Sequence, residues 1–166
     1  MKVIVRPAVQ EDAEAMCQVI NPLIEEGNST ARSWPLDSTR MFRDVIATPS
    51  GLSCCVAVFD QKILGFRSRS FAKPSAAQSP AGRWGSIASF IEGDAQGLGL
   101  GQALFEHTKS QAIVVGLDFI DATIRADNIL GLRYYASLGF VDYNRLLNEP
   151  LADGRKVDRI QKHFDL

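Results

Sequence analysis

The sequence predicts one mixed α/β (α+β) domain that spans residues 1–166. Strands and helices alternate along the whole chain, and no internal repeat or linker divides it. Apolar residues make up 46% of the chain and charged residues 22%, a composition that supplies one hydrophobic core and is too apolar for a disordered protein.

Hydrophobic periodicity and turn residues predict the order β-α-α-β-β-β-α-β-α-β-β. The predicted elements are a strand over 2–8, helices over 10–26 and 36–47, a hairpin over 53–72 with its turn at 60–62, a strand over 82–92, a helix after the glycines that follow it, a strand over 117–126, a helix over 128–139 and a last hairpin over 140–147 and 156–166.

Proline, glycine and small polar residues mark the element boundaries. Pro22 should kink or interrupt the first helix, because it cannot donate a helical hydrogen bond. Asp37 or Ser38 should cap the second helix, and Gly139 should close the last one. The Pro/Ser/Ala-rich loop over 73–82 is expected to be the most mobile segment.

Charge and hydropathy exclude several classes of partner. The net charge of −1 gives no electrostatic basis for nucleic-acid binding. No apolar run approaches the ~18 residues of a membrane span, and the N-terminus becomes charged too early for a signal peptide. Cys17, Cys54 and Cys55 lack metal-ligand spacing, so we expect buried thiols. We therefore predict a cytoplasmic protein with no metal, nucleic-acid partner or membrane anchor.

The stretch GDAQGLGLGQALFEHTKSQA, residues 93–112, places Gly97, Gly99 and Gly101 directly before a predicted helix. Glycine costs roughly 1 kcal/mol relative to alanine inside a helix, so such a start requires a reason. A P-loop would need Lys-Ser/Thr, and a dinucleotide-binding fingerprint fails because Gln102 and Leu104 occupy its last glycine position. Two interpretations remain: a backbone cradle for a pyrophosphate, or a turn needed only for packing.

Two motifs resemble a known family. Gln96-Gly97-Leu98-Gly99-Leu100-Gly101 resembles the (Arg/Gln)-x-x-Gly-x-(Gly/Ala) signature of the GNAT superfamily of N-acetyltransferases. A second block, with Asn128, Tyr135 and Leu138-Gly139-Phe140, is similar to its Asn-x-x-Ala-x-x-x-Tyr-x-x-x-Gly-Phe segment, with Gly131 replacing the usual alanine. Residues 27–31 and 153–166 resemble the phosphinothricin and methionine-sulfoximine acetyltransferase branch.

The resemblance implies a mostly antiparallel sheet of about seven strands and about four helices, in which the fourth and fifth strands splay apart. Acetyl-CoA, the cosubstrate, would lie in that gap, with its pantetheine arm paired to the fourth strand. The residues implied to hold it are Ser89, Phe90 and Ile91 for the pantetheine, Gln96, Gly97, Leu98, Gly99, Leu100, Gly101 and Gln102 for the pyrophosphate, and Asn128 and Tyr135 for the arm and the thioester sulfur.

The implied chemistry is a direct attack of an amine on the acetyl thioester, which needs a base, an oxyanion stabiliser and an acid. A phenol can protonate a thiolate of similar basicity, so Tyr135 suits the acid; the alternative is a core aromatic, for which Tyr134 is the comparison. In the phosphinothricin branch a glutamate stands where this chain has Ser86, which could only order a water.

Other acids and polar residues remain candidates for the acceptor site. Glu25 and Glu26 end the first helix near the expected pocket, where Ser29 and Thr30 would also bind the substrate; the alternative for both glutamates is a solvated helix end. We predict an acetyl-CoA-dependent N-acetyltransferase that forms a homodimer and acts on a primary amine of a small molecule, an amino acid or a similar compound. A non-catalytic acetyl-CoA-binding or sensing module is the alternative.

Overall fold

The computed structural model describes residues 2–49, 51–73 and 79–166. The elements, which follow the predicted order, are β1 (Ile4–Pro7), α1 (Ala13–Glu26), α2 (Ser38–Met41), β2 (Gly51–Phe59), β3 (Lys62–Ala72), β4 (Trp84–Ile91), α3 (Leu100–Val114), β5 (Phe119–Arg125), α4 (Ile129–Ser137), β6 (Val141–Pro150) and β7 (Lys156–Asp165).

The seven strands form one sheet in the order β1-β2-β3-β4-β5-β7-β6. All neighbouring pairs are antiparallel except β4 and β5, which run parallel. Their pairing covers only the starts of both strands, from Trp84↔Phe119 to Ser86↔Asp121. Beyond these positions the two strands diverge. The structure therefore confirms the mixed, mostly antiparallel sheet with a splayed β4–β5 pair.

Local capping explains the helix boundaries. The helix α1 continues through Pro22 and ends at Gly27, whose φ of 73° is left-handed. The carboxylate of Asp37 caps α2 by accepting a hydrogen bond of 2.8 Å from the backbone N–H of Arg40, as predicted. The α2 helix is shorter than expected, because residues Phe42–Ile46 continue it as a π-helical segment. Of the loop expected to be most mobile, residues 74–78 lie outside the described residues.

The two faces of the sheet bury separate cores. On one face, Met16 and Ile20 of α1 pack with Phe66 of β3 and with Phe90 of β4. On the other face, Ile87 of β4 packs in one cluster with residues of α3 and α4. Because successive strand residues point to opposite faces, β4 presents its even-numbered side chains to the α1 side and its odd-numbered side chains to α3 and α4. This alternation decides which residues reach each side of the splayed gap.

The remaining expectations concern cysteines, metals and membranes. Cys17, Cys54 and Cys55 are buried and unpaired, and burial raises the pKa of Cys54 to about 12, so that thiol stays protonated near neutral pH. Within the described ranges there is no group of three or more His, Cys, Asp or Glu that could hold a metal ion. None of the helices in the same ranges is long and apolar enough to cross a membrane.

Candidate active site

A cavity of about 790 Å³ opens where β4 and β5 separate. Its walls come from the end of β4, the glycine-rich turn, the first residues of α3 and the start of α4. A second cavity of about 310 Å³ adjoins it on the α1 side. The residues that line both cavities are Ser29, Ser89, Phe90, Asn128, Gly131 and Tyr134.

The glycine-rich turn forms one end of the larger cavity. Gly97 and Gly99 have left-handed φ values of 86° and 79°, and a β-carbon at either position would meet nothing within 4 Å. The helix α3 starts its hydrogen-bonding ladder with the bond of 3.0 Å from Ala103 N to Gly99 O. The N–H groups of residues 100–102 therefore have no acceptor inside the helix. An uncrowded turn at the positive end of a helix dipole fits a phosphate group.

Gly101 is required for a different reason. A β-carbon on Gly101 would lie 2.5 Å from the ring of Tyr134, which is closer than any ordinary contact. The hydroxyl of Tyr134 also donates a hydrogen bond of 2.8 Å to the carbonyl oxygen of Gly101. Of the three glycines, two are thus explained by backbone conformation beside open space, and the third by the packing of an aromatic ring.

A buried arginine connects β3, β4 and α4 behind the gap. Arg67 is 1% exposed, and its Nε donates a 2.7 Å hydrogen bond to Ser89 Oγ. Its Nη2 donates to the hydroxyl of Tyr134 at 2.5 Å, whereas Nη1 is buried and has no partner within the described residues. No carboxylate in that part of the chain lies within ion-pair distance of this guanidinium. Arg67 is therefore a buried positive charge without a counterion.

The two neighbouring tyrosines use their hydroxyls differently. Tyr134 donates its proton to the Gly101 carbonyl and accepts from Arg67, and burial raises its pKa although the charge of Arg67 acts in the opposite direction. Tyr135 shares a hydrogen bond of 3.0 Å with Ser89 Oγ, in which either oxygen could be the donor. The proton of Tyr134 is therefore committed to the backbone, whereas the hydroxyl of Tyr135 is hydrogen-bonded to the Ser89 side chain and to no backbone group of the described residues. The rings contact each other with centroids 5.0 Å apart, so Tyr134 is part of the same site.

The second cavity has an apolar lining that also contains three arginines and several hydroxyl groups. Arg32, Arg125 and Arg159 line it, and no Asp or Glu of the described chain does. Arg125 is bound to Asp127 at 2.6 Å and donates to the carbonyls of the α1–α2 loop, whereas the buried Nε of Arg159 has no partner among the same residues. This cavity is suited to a molecule that carries negative charge.

Asn128 joins the two cavities. Its Oδ1 caps α4 by accepting a 2.9 Å bond from the N–H of Gly131, and its Nδ2 donates to the carbonyl of Ser29 at 3.2 Å. A β-carbon at position 131 would lie 2.5 Å from Asn128 Nδ2. The replacement of the family's alanine by Gly131 thus leaves room for the Asn128 side chain in this position.

Ser86 is the last residue of β4 that pairs with β5, and it lies opposite Asp121. Asp121 is 6% exposed and accepts hydrogen bonds from Tyr143 Oη at 2.6 Å and Thr123 Oγ1 at 3.1 Å, with the Ser86 hydroxyl as a further partner. Burial raises the pKa of this carboxyl group, and the three hydrogen bonds oppose the increase.

The structure brings most of the predicted residues to the two cavities. Every residue implied to hold coenzyme A lines the larger cavity except Leu98 and Tyr135, and Tyr135 lines the smaller one. Glu26 and Ser29 line the larger cavity, and Ser29 and Thr30 line the smaller one. Glu25 and Ser86 line neither.

Sequence reasoning missed Arg67, Thr123 and Asp121. The only indication for Arg67 was a charged residue within an apolar strand, where arginine is normally exposed. Asp121 gave a similar indication in the run LDFIDATIRA.

The chain was compared with known families and structures. Residues 17–140 match the model of the acetyltransferase (GNAT) family. No protein of curated function matches the sequence significantly. Among solved structures, an N-acetyltransferase from Staphylococcus aureus Mu50 aligns over 99% of both chains with a TM-score of 0.78 and 18% identity. A candidate phosphinothricin N-acetyltransferase aligns over 99% of both chains with a TM-score of 0.78 and 20% identity. The protein yncA from Salmonella typhimurium, solved with acetyl-CoA, covers 99% of this chain and 94% of its own, with a TM-score of 0.74 and 18% identity.

Proposed function

The chain belongs to the acetyltransferase (GNAT) family and is an N-acetyltransferase, and from this premise we propose that it acetylates the primary amine of a small molecule that also carries an acid group. Amino acids and similar compounds are the class intended. The family uses acetyl-CoA as the acetyl donor. The observation that carries the proposal is the pair of adjoining cavities, one ending at the open glycine-rich turn before α3 and the other lined in part by arginines and by no carboxylate of the described residues.

The donor would occupy the larger cavity. The unpaired N–H groups at the start of α3 would bind the pyrophosphate, and the free edge of β4 at residues 89–91 would pair with the pantetheine amides. Gly97 and Gly99 support this assignment, because their open surroundings allow a phosphate to approach the backbone. Asn128, which lines both cavities, would contact the arm near the thioester.

The acceptor would enter the smaller cavity, so that donor and acceptor are bound together and the amine attacks the thioester directly. Arg159 and Arg32 would bind the acid group of the acceptor, since a guanidinium matches a carboxylate or phosphate with two parallel hydrogen bonds. Tyr135 would donate a proton to the departing thiolate, because its hydroxyl faces Ser89 on the strand implied to hold the pantetheine. No metal takes part in this proposal.

One observation favours a non-catalytic acetyl-CoA sensor on the same fold. The position of the glutamate in the phosphinothricin branch is Ser86, which lines neither cavity. The retained Tyr135 and the presence of a second cavity beside the first argue for transfer. A cytoplasmic location and a homodimer stay predictions.

The first experiment measures release of free thiol from acetyl-CoA in the presence of a panel of amines. We expect turnover with α-amino acids or other amines that carry an acid group, and at least tenfold lower kcat/KM with matched amines in which that group is replaced by an amide. Equal rates with acid and amide would contradict the role of the arginines. Coenzyme A binding without thiol release from any amine would favour the sensor.

The second experiment tests the cradle with a matched pair of variants. Acetyl-CoA at about 100 times its Kd should stabilise the wild-type protein by about 2.7 kcal/mol. Gly99→Asp adds a carboxylate beside the pyrophosphate and should remove most of this stabilisation. Gly154→Asp is the control, because Gly154 is also left-handed, with a φ of 85° and nothing within 4 Å of its β-carbon position, but lines neither cavity. Unchanged binding by folded Gly99→Asp would place the cradle elsewhere.

A further inference from the structure

Asp121 is a buried carboxylate for which the proposed function has no role. It lies on β5 at the point where β4 and β5 begin to separate, and it is 6% exposed. No cation within the described residues lies at ion-pair distance from it. Its hydrogen-bond donors are hydroxyl groups, from Tyr143, Thr123 and Ser86. A buried carboxylate held only by neutral donors is a costly arrangement and calls for a reason.

Thr123 connects this carboxylate to the acceptor cavity. Its Oγ1 donates the 3.1 Å hydrogen bond to Asp121 Oδ2, and the residue lines the smaller cavity. Strand alternation places positions 121, 123 and 125 on the same face of β5, the face from which Arg125 reaches the α1–α2 loop. Thr123, whose hydroxyl also accepts a 3.3 Å hydrogen bond from Gln161 Nε2, therefore connects the carboxylate with the lining of the cavity assigned to the amine.

The other carboxylates near the cavities are less suited to accept a proton. Asp127 lines the larger cavity, but its hydrogen bonds to Arg125 hold the pKa of its carboxyl group below the usual value. Glu26 lines the same cavity at the exposed end of α1 and does not line the smaller one. Asp121 is thus a carboxylate that reaches the lining of the arginine-lined cavity through a neutral hydroxyl, whereas Asp127 reaches it through the charged Arg125.

We propose that Asp121 is the proton acceptor of the acetyl transfer and that Thr123 relays the proton to it. The inference rests on the proposed function. The ammonium group of the bound acceptor gives a proton to Thr123 Oγ1, and Thr123 gives its own hydroxyl proton to Asp121 Oδ2. The amine is then neutral and attacks the thioester. The thiolate leaves with a proton from Tyr135, and the second proton of the amine nitrogen restores the Tyr135 hydroxyl as the amide forms. Asp121 is now a neutral carboxylic acid, and it loses its proton to water by the same route after the product leaves. Thr123 touches the substrate, whereas Asp121 acts through it.

The surroundings of Asp121 support this role. The ionisable groups that face it are Tyr143 from β6 and His163 from β7, which is its partner in the strand register; β4 contributes the hydroxyl of Ser86. Burial raises the pKa of the Asp121 carboxyl group, although the hydrogen bonds and the charge of His163 act against the increase. A raised pKa brings a carboxylate closer to the operating pH, where it is a more effective general base.

The test is the pH profile of kcat/KM with the best acid-bearing amine of the panel, measured on the whole protein. For the wild type, we expect activity to persist below the amine's own pKa and to fall at one lower pKa. For Asp121→Asn, which keeps the size of the side chain and one of its two acceptor oxygens, the profile should follow the ionisation of the amine itself. Two pH units below the amine's pKa, the variant should therefore be slower by about 10²-fold.

Control variants separate relay from structure. Thr123→Val should show the same shift of the profile as Asp121→Asn, and Thr123→Ser, which keeps a hydroxyl, should restore the wild-type profile. Asp142→Asn should keep the lower pKa; Asp142 pairs with Lys162 on β7, and its strand neighbour Tyr143 binds Asp121. His163→Gln should keep a lower pKa but move it upward, because the charge of His163 opposes the raised pKa of Asp121. Disappearance of the lower pKa in His163→Gln or in Glu26→Gln, but not in Asp121→Asn, would overturn the proposal.

A second readout does not depend on turnover. Carbon NMR titration of the aspartate carboxyl groups, with Asp121→Asn for assignment, should give a pKa for Asp121 above that of an ordinary aspartate and near the lower pKa of the wild-type rate profile. A normal or depressed value would overturn the proposal. If the wild-type protein releases no thiol with any amine, the proposed function fails; if it does and Asp121→Asn keeps the profile, only this inference fails.

Discussion

The two faces of β4 differ in the charge that they bury. On the face toward α3 and α4, Arg67 is a buried cation whose partners are hydroxyl groups, Ser89 and Tyr134. On the face toward α1, Asp121 is a buried anion whose partners are also hydroxyl groups, among them Thr123 and Tyr143. Within the described residues neither charge has a counterion. Arg67 lies on β3 and Asp121 on β5, the two strands on either side of β4, so β4 separates the two charges.

The difference assigns a direction to proton movement. A buried cation stabilises negative charge that develops beside it. It therefore favours the loss of a proton from a phenol, and it stabilises the negative charge of a departing thiolate. A buried anion without a cation favours gain of a proton. The amine would lose its proton on the Asp121 side, and the thiolate would gain one on the Arg67 side, with β4 between them. Ion pairing of the two residues would cancel both effects, and the strand prevents it.

Removal of Tyr135, the proposed general acid on the Arg67 side, should reduce kcat more than any other predicted change. Tyr135→Phe deletes one hydroxyl and keeps the ring that packs against Phe140, with centroids 5.2 Å apart. We expect kcat to fall by roughly 10² to 10⁴ while acetyl-CoA binding is nearly unchanged, since general acid catalysis acts in the transition state. Single-turnover kinetics measures the rate of the chemical step, and calorimetric titration measures the affinity for acetyl-CoA.

Tyr134→Phe removes a second hydroxyl from the same helix and serves as a comparison. The two variants affect the same site, because the hydroxyl of Tyr134 binds Arg67 and Gly101. We expect Tyr134→Phe to weaken packing around α3 and to retain more of kcat than Tyr135→Phe. A larger loss for Tyr134→Phe would exchange the roles of the two tyrosines.

Removal of the positive charge of Arg67 should cause the next largest decrease in kcat. Arg67→Met keeps an unbranched stem that can stay buried and removes the charge that Ser89 and Tyr134 contact. Hydrogen bonds to charged groups contribute about 1.5–3 kcal/mol, so kcat should fall by roughly 10-fold to 10²-fold. The melting temperature should not fall in parallel, because an apolar side chain often replaces a buried charge without loss of stability. Stopped-flow rates and thermal unfolding test both statements.

Arg69→Met is the matched control for this prediction. Arg69 lies two residues further along β3, is 3% exposed and donates to the carbonyl of Thr108 at 3.3 Å. Burial lowers the pKa of Arg69. Like Arg67, Arg69 is a buried guanidinium on β3. It contacts neither tyrosine by a hydrogen bond in the described structure, and we expect kcat near that of the wild type. Equal losses in both variants would mean that the charge acts through the fold alone.

The sequence predicted features that depend on local spacing and missed those that depend on distant contacts. The order of the elements, the cap at Asp37 and the turn at Gly99 follow from residues within a few positions of each other. Arg67 meets Tyr134 across 67 positions of the chain, and Gly101 needs its missing side chain because of a ring 33 positions away. Such contacts require the strand register, which periodicity does not provide.

The base illustrates the same limit. Ser86 was predicted from a family position, and the structure places it beside Asp121 through a parallel pairing that spans the whole of α3. Asp121 could be seen in the sequence only as an acid within a buried strand. Its partners come from β4, β5 and β6, so the sequence alone gave no reason to connect it with Ser86.

The smallest expected effect concerns stability on the Asp121 side. The pKa of Asp121 is raised by burial in the folded protein, so the folded state binds a proton more tightly than the unfolded state does. Between the unfolded pKa, about 4, and the raised folded pKa, the free energy of unfolding of the wild type must therefore decrease as the pH rises. Asp121→Asn cannot ionise and lacks this decrease.

The stability of Asp121→Asn relative to wild type should thus increase with pH through that window, by about 1.4 kcal/mol for each unit by which the pKa is raised, and stay constant below pH ~4. Asp127→Asn should show the opposite slope. The pKa of Asp127 is lowered by its hydrogen bonds to Arg125, so the wild type loses stability as the pH falls toward that lowered value and the variant does not. Urea unfolding from pH 3 to pH 8 measures both differences. If the stability difference from wild type had the same slope against pH in both variants, the surroundings of Asp121 would not destabilise its carboxylate. The two faces of β4 would then bury charges of opposite sign, but this difference would not determine the direction of proton transfer.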